Sequence, residues 1–391
     1  MKAGLFKEVE FYQVRKATEN ACGDAFLSHR DRESGRVISV LSDGLGSGMK
    51  ACILASMTAK MALKFAQSEL DMIRSAEIMM DVLPICAVRK IGYATYTVVD
   101  CRDNRTIRVI EQGNPRFICI RNGKVIDLPC EELGSRHQDY RTLRLTVYEP
   151  RPEDRLIFFS DGVTEAGMGT SFYKLGWRRS GVVGFVQHLL AGKPDISARD
   201  LVRRIVCEAL NKEPGRRAGD DTTCAAVYMR KPRRTLVLSG PPYAAARDQE
   251  FARLVETFDG RKIICGGTSA EIIARELSRP LRTPLLRGQS PFPPVSLMEG
   301  VDLVTEGILT LTEVQRILES GNLPMESNAA TQLVELLRES DVIEFVVGTR
   351  INDAHQDPSL PVDLEIRRNL LKRIKQVLEE NYLKEVNIRY I

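Results

Sequence analysis

Histidine is scarce in this chain. Among 391 residues there are four, His29, His137, His188 and His355, and no two are spaced as a metal pair. Nine cysteines are present (Cys22, Cys52, Cys86, Cys101, Cys119, Cys130, Cys207, Cys224 and Cys265), but none forms a CxxC pair and the number is odd. Most of them sit inside apolar runs. That argues against a disulfide framework or a zinc site and reads as reduced, buried thiols in a cytosolic protein. No apolar run reaches the length of a membrane span, and the opening MKAGLFKEVEFYQ has no apolar signal-peptide region. The expectation is a cytoplasmic, soluble chain that does not enter a membrane. Charge of one sign is missing too: 56 basic and 52 acidic residues leave a net +4, too balanced for a typical nucleic-acid binder. Neither GxGxxG nor a P-loop lysine occurs.

What is present suits two globular domains. The composition is 43% apolar and 28% charged, and the length exceeds one typical domain. Residues 1–230 are rich in β-signals. Ala94–Asp100 and Thr106–Gln112 flank the polar turn Arg102-Asp103-Asn104, and Arg116–Arg121 and Lys124–Leu128 flank Asn122-Gly123, a hairpin signal. Together they predict an antiparallel sheet. Met49, Ile53, Met57 and Met61, with Cys52 and Leu63 alongside, recur at helical spacing. Leu201–Leu210 is a second predicted helix. The basic run Met229–Thr235 reads as a solvated linker, with an anion-binding patch as the alternative. Beyond it, strand-like Thr235–Ser239, Lys262–Cys265, Val301–Val304, Val342–Val347 and Val386–Tyr390 alternate with helical segments near Ala245–Phe258 and Ala270–Leu277. That alternation predicts a Rossmann-like three-layer domain over 231–391, with a mainly parallel sheet.

The chemistry concentrates in aspartates beside glycine. Asp43 ends the run Val37–Leu41 in VLSDGLGSGMKA, on a turn too glycine-rich to shield it. Asp161 closes LIFFSDG, Asp220-Asp221 lies in GDDTTCAAVYM, and Asp24 follows Cys22-Gly23. One Asp-Gly pair is usually a turn. Several at strand edges also suit a hard-cation site, because Mg²⁺ and Mn²⁺ take oxygen ligands and a neighbouring glycine lets a carbonyl approach.

VLSDGLGSGMKA, FFSDGVTEA and GDDTTCAAVYM, in that order and at those separations, resemble the metal-dependent serine/threonine phosphatases of the protein phosphatase 2C superfamily. Within it they look like the bacterial branch typified by sporulation stage II protein E. GNPRFICIRNG (Gly113–Gly123) is similar to that branch's glycine-proline turn and hairpin. The resemblance covers about residues 8–230. It implies an αββα sandwich of two antiparallel sheets with two Mn²⁺ or Mg²⁺ at one end. It also implies hydrolysis of phosphoserine or phosphothreonine by a metal-bridging hydroxide. Asp43 would bridge both ions, with the Gly44 carbonyl on the second. Asp161 and Asp220 would complete the first ion's shell, and Asp24 would ligate the second ion or hold its water. Asp221 would orient a ligand from outside. Leu45 stands where many relatives outside this branch carry a histidine, which leaves the leaving-group proton donor unassigned, with a metal-bound water as the substitute. The helix Gly48–Phe65, tied to Asp43, reads either as an on/off element, as in relatives, or as a static core helix.

In the second domain, Gly266, Gly267, Thr268 and Ser269 follow a strand and open a helix. They read as an ordinary capped turn or as free amides that cradle an anion. Ser239–Pro242 reads as a rigid turn and Gly348–Pro358 as a long ligand-type loop. The implied partner is a phosphorylated signalling protein such as an anti-sigma-factor antagonist, with a small ligand or a protein on the second domain. The alternatives are a non-catalytic phosphoprotein-binding module and a dimetal phosphoesterase for a small phosphate ester.

Overall fold

β-branched runs in the first part of the chain build two antiparallel sheets. The computed structural model describes residues 5–68, 74–75, 78–79, 94–102, 106–135, 138–284, 295–350 and 360–391. Cys86, His137, His355, Asp103-Asn104 and the 351–358 part of the long loop lie outside them. The chain divides into two compact units, Met1–Lys231 and Pro232–Ile391.

In the first unit, one sheet contains β1 (Phe6–Val14), β6 (Ile118–Arg121), β7 (Lys124–Ile126), β10 (Arg155–Phe159) and β11 (Thr222–Arg230), in the order β1-β11-β10-β6-β7. The other contains β2 (Asp24–Arg30), β3 (Val37–Gly44), β4 (Ala94–Cys101), β5 (Ile107–Gln112), β8 (Glu131–Ser135) and β9 (Gln138–Tyr148), in the order β2-β3-β4-β5-β9-β8. The helices described here include α1 (Gly48–Gln67), the single turn α2 (Asp161–Thr164), α3 (Arg178–Gly192) and α4 (Ala198–Lys212). Ile157, Phe159 and Ala226 of the first sheet pack against Val182, Leu201 and Ile205 of α3 and α4. Ile38, Val40 and Val98 of the second pack against Ala59, Ala62 and Ala66 of α1. Between the sheets, Phe26 lies 4.5 Å from Phe11 and 6.3 Å from Phe158, centroid to centroid. The result is helix, sheet, sheet, helix.

Two details go beyond the sequence reading. The antiparallel runs are shared between the two sheets: β4 and β5 pair in one, β6 and β7 in the other. The chain crosses between them at Gly113, whose φ of +78° and position against the Thr95 side chain exclude a larger residue. Asn122 and Gly123 have φ of +50° and +73°, the left-handed pair a two-residue hairpin turn needs. The second concerns α1. Met49, Ile53 and Met57 are exposed, and the buried face is Gly48, Ala51, Ala55, Thr58, Ala59, Ala62 and Ala66. Small side chains bring the helix close to the sheet, so the alanine stripe, and not the large apolar one, marks the packed face.

The second unit has a single parallel sheet: β12 (Arg234–Ser239), β13 (Arg261–Cys265), β14 (Leu303–Thr305), β15 (Val342–Val347) and β16 (Glu385–Tyr390), in the order β14-β13-β12-β15-β16. Every pairing is parallel. Helices α5 (Asp248–Thr257) and α6 (Gly267–Glu276) cover one face around Leu238 and Ile264. Helices α7 (Ile308–Ser320), α8 (Ala329–Glu339) and α9 (Leu360–Asn381) cover the other around Val237 and Phe345. Burial on both sides is why these strands read as continuous apolar runs. Third, second, first, fourth, fifth is the strand order of a doubly wound nucleotide-binding sheet. The helix read near Ala270 begins three residues earlier, at Gly267. The eight cysteines among the described residues are free, with Cys101, Cys119, Cys224 and Cys265 buried and Cys207 exposed. Among the described residues no helix is long and apolar enough to cross a membrane.

The packing of α1 makes a paired prediction for urea unfolding of the full chain. Ala59→Leu on the buried face should destabilise by about 1–3 kcal/mol through overpacking. Met57→Ser on the exposed face should stay within about 0.5 kcal/mol of the parent.

Candidate metal centre

Strand register brings Asp24 and Asp43 face to face. Asp24 begins β2, Asp43 lies near the end of β3, and antiparallel pairing makes them direct partners. Their side chains share the sheet face that carries Leu41 and Ser39 and looks away from α1. Like charges directly opposite weaken a sheet, so this pairing needs another justification. Asp43 is half-buried inside the strand rather than on an exposed turn. Its glycine has a steric cause: a Cβ on Gly44 would run into the Ala51 carbonyl of α1. Gly162 is held in the same way against the Asp221 carbonyl.

The other acids arrive from the first sheet. Asp161 follows β10 and opens α2, while Asp220 and Asp221 immediately precede β11. The Asp43 carboxyl hydrogen-bonds to Asp161. Burial first, then the charges of Asp24 and Asp161, push the Asp43 carboxyl far above the ordinary carboxylate range. Asp24 is only 4% exposed. Burial raises its carboxyl, and the hydroxyls of Thr223 and Ser160 oppose that shift. Those hydroxyls donate to Asp24 Oδ2 at 2.6 and 2.8 Å, which fastens one sheet to the other. Asp24 Oδ1 is buried with no partner among the described residues. The Asp220 carboxyl is raised by burial, an effect opposed by the Asp221 amide and Lys16.

Asp221 plays a supporting part. Its Oδ1 accepts the Lys16 amide at 2.9 Å, and its Oδ2 would stand 2.8 Å from a Cβ on Gly23. Sequence reasoning missed Ser160, Thr223 and Lys16. Ser160 and Thr223 adjoin the acids within the quoted motifs, so a hydroxyl beside each aspartate was the available signal. Lys16, whose Nζ lies 4.0 Å from Asp220 Oδ1, carried none. Glu19 was missed as well: it accepts Ser47 Oγ at 2.9 Å and lies over Gly48, at the positive end of α1.

These residues fit a hard divalent cation. The donors are all oxygens, and one of them is orphaned and buried. The side chains do not form a closed cage: among the described residues no three His, Cys, Asp or Glu side chains converge tightly enough to hold an ion. Asp43 and Asp161 touch, Asp220 is within their field, and Asp24 is turned toward Ser160 and Thr223.

A raised carboxyl stabilises the fold at low pH and loses that contribution as pH climbs from the ordinary carboxylate value toward the raised one. In EDTA the melting temperature should therefore fall between about pH 5 and pH 8, and Mn²⁺ should restore it at the upper end. Asp43→Asn should raise the melting temperature of the metal-free protein at pH 8 by a few degrees, at roughly 2–4 °C per kcal/mol of repulsion relieved. Calorimetry showing a lower melting temperature for Asp43→Asn in EDTA would contradict the repulsion.

The sequence pattern of Stage II sporulation protein E (SpoIIE) matches residues 33–230, half of the chain. No curated protein matches the chain in sequence. Solved structures with a similar fold include the phosphatase domain of SpoIIE from Bacillus subtilis, at 14% identity and a TM-score of 0.44, over 59% of this chain and 95% of that one. The RsbU and RsbW domains of a Mycobacterium tuberculosis protein align at 14% identity and a TM-score of 0.47, over 65% and 70%. RsbX in complex with magnesium aligns at 18% identity and a TM-score of 0.39, over 57% and 95%. With its three acidic motifs inside or bordering the matched span, the chain belongs to the Stage II sporulation protein E family of protein phosphatase 2C-type serine/threonine phosphatases.

Proposed function

We propose that the first unit hydrolyses phosphoserine or phosphothreonine on a bacterial signalling protein, using two Mn²⁺ or Mg²⁺ ions held by Asp43, the Gly44 carbonyl, Asp161 and Asp220. The observation that carries this reading is the cross-strand pair Asp24–Asp43, joined to Asp161 through the hydrogen bond from Asp43. Bound divalent ions would supply positive charge for the phosphoryl oxygens and activate water for in-line attack. With a cation between them, Asp43 and Asp161 would each present carboxylate oxygens to it. Asp24 Oδ2 stays fastened by Ser160 and Thr223, which leaves Oδ1 to orient water or an ion. Asp221, fixed by the Lys16 amide, holds the Asp220 loop in place. Lys16 Nζ, beside Asp220, is the cation available to a phosphate oxygen.

A protein substrate suits the loop that leaves α2. Met168, Phe172 and Leu175 there are exposed, Phe172 at 90%, and an apolar rim favours a polypeptide over a small ester. A phosphorylated anti-sigma-factor antagonist is the partner class we assign, consistent with the RsbU and RsbW architecture among the similar folds. The second unit then responds to a ligand or partner and sets the activity.

The test is phosphate release from a phosphoserine peptide with and without Mn²⁺. Turnover should depend on the metal, and Asp43→Asn or Asp161→Asn should each lower kcat on the order of 10²–10³-fold. Absence of metal-dependent turnover with intact peptide binding would favour a non-catalytic binding module. Faster turnover of nucleotides than of phosphopeptide would favour a small-ester phosphoesterase.

A further inference from the structure

The C-terminal edge of the parallel sheet contains an N-terminal helix mouth that its own side chains leave open. Helix α6 starts at Gly267 directly after β13, and no side chain caps it. Its first internal bond runs from the Ala270 amide to the Gly266 carbonyl at 3.0 Å, so the Gly267, Thr268 and Ser269 amides precede the helical ladder. These amides, with the helix dipole behind them, attract an anion.

A second feature points the same way. Ser269 is 1% exposed and its Oγ has no partner among the described residues. That oxygen would lie 3.5 Å from a Cβ on Gly266, so it faces back into the mouth. A side chain three places into a helix can reach back to the amide of the capping residue, as Thr331 does to Asn328 in α8. Here the Gly266 amide is already committed to the Thr305 carbonyl at 2.8 Å. A buried hydroxyl without a partner costs free energy, and a ligand oxygen in the mouth would remove that cost.

Space is available. A Cβ on Gly267 would meet nothing within 4 Å, and Gly267 and Thr268 are exposed. Gly266, at φ +134°, keeps the strand-to-helix turn free of side chains, and Gly307 of the next strand-to-helix turn comes within 3.6 Å of its Cα when given a Cβ. The neighbouring turn differs. There Glu306 Oε2 accepts the Leu309 amide at 3.1 Å, so a carboxylate occupies the start of α7. That carboxylate lies close enough to Cys265 to help raise its thiol. An amide-lined anion hole beside a carboxylate suits a ligand that places hydroxyls next to a phosphate, as a ribose phosphate does: the amides take the phosphate and the carboxylate accepts the hydroxyls.

We propose that Gly266–Ser269 is a phosphate-group site for a hydroxyl-bearing phosphate ester, a sugar phosphate or nucleotide, with Glu306 as the hydroxyl acceptor. The site lies wholly within the second unit and is independent of the phosphatase reading.

The experiment is calorimetric titration of the full chain with ribose 5-phosphate, AMP and inorganic phosphate. EDTA is present throughout, so that the acidic cluster of the first unit holds no cation to draw phosphate. An ester should bind more tightly than inorganic phosphate, and the comparison of ribose 5-phosphate with AMP separates the two ester sources. Gly267→Asp puts a carboxylate into the mouth while favouring the helix start, so it should weaken binding by about tenfold or more without lowering the melting temperature. Ser269→Ala should weaken it several-fold, Glu306→Gln should erase the preference for esters, and Gly267→Ala should fold and bind as the parent. No heat from any of the three compounds at millimolar concentration overturns the proposal. So does binding that Gly267→Asp and Ser269→Ala leave unchanged, or binding of inorganic phosphate with neither ester.

Discussion

Two carboxylates held opposite each other across neighbouring antiparallel strands set the terms for the first unit. Asp24 and Asp43 cannot separate without breaking the β2–β3 register, and shifting that register by one residue would turn the whole buried face of β3 outward. The repulsion is therefore built into a strand pairing that the core enforces. Its surroundings follow from it. The first sheet reaches across with Ser160 and Thr223 to steady Asp24. Asp161 hydrogen-bonds with the Asp43 carboxyl, whose titration is pushed upward by burial and by its acidic neighbours. Helix α1 then packs its backbone onto Gly44, the residue after Asp43, so the position of the helix and the position of the acid are mechanically one quantity.

Much of this was legible in the sequence because the acids sit at fixed points of strands. An aspartate that ends a β-branched run beside glycine marks its element and its edge, and the resemblance of the three motifs, in order, to the protein phosphatase 2C superfamily implied that they share one end of a sandwich. The parallel sheet was legible for a similar reason: strands buried on both faces, as Leu236–Leu238 and Ile263-Ile264 are, cannot alternate apolar with polar. The packed side of α1 was not legible. Met49, Ile53 and Met57 carry more hydrophobicity than Ala51, Ala55 and Ala59, and a periodicity argument follows the larger residues. Close approach of a helix to a sheet selects for small side chains instead, a constraint that becomes visible only once β3 and its glycine are in place. The division of the hairpins between sheets was hidden likewise, because strand spacing records adjacency in the chain and says nothing of a crossing such as the one at Gly113.

Glycine in the Asp-Gly pairs answers to packing as much as to chemistry. Gly44 and Gly162 each stand where a backbone carbonyl, of Ala51 and Asp221 respectively, occupies the volume a side chain would need. Both carbonyls belong to segments that frame the acidic cluster. The residue that lets a carbonyl face an ion thus also lets two chain segments close on each other, and the two roles cannot be separated from the motif alone. At Gly266 and Gly267 the same sequence signal has a different surrounding: one glycine turns the chain at positive φ and the next faces open space. A capped turn and an anion hole begin with identical residues. What distinguishes them is whether the serine that follows finds a partner.

The charge economy of the first unit separates structural acids from working ones. Asp100 is fully buried and receives Arg36 at 2.8 and 2.9 Å. Asp154, equally buried, receives Arg121 at 2.7 and 2.6 Å. Glu8 receives Arg230 at 2.8 Å. Where a carboxylate only has to hold the fold together, this chain supplies a guanidinium, as the desolvation of a buried charge demands. Among the described residues no arginine or lysine pairs with Asp24, Asp43 or Asp161, and Lys16 stands 4.0 Å from the more exposed Asp220. The fold offers hydroxyls and an amide instead. All of these position or neutralise a carboxyl without occupying the space between the acids. A structural cluster would gain from a fixed arginine in that space. Its omission, in a unit that places arginines on Asp100, Asp154 and Glu8, is what the proposed metal site would require.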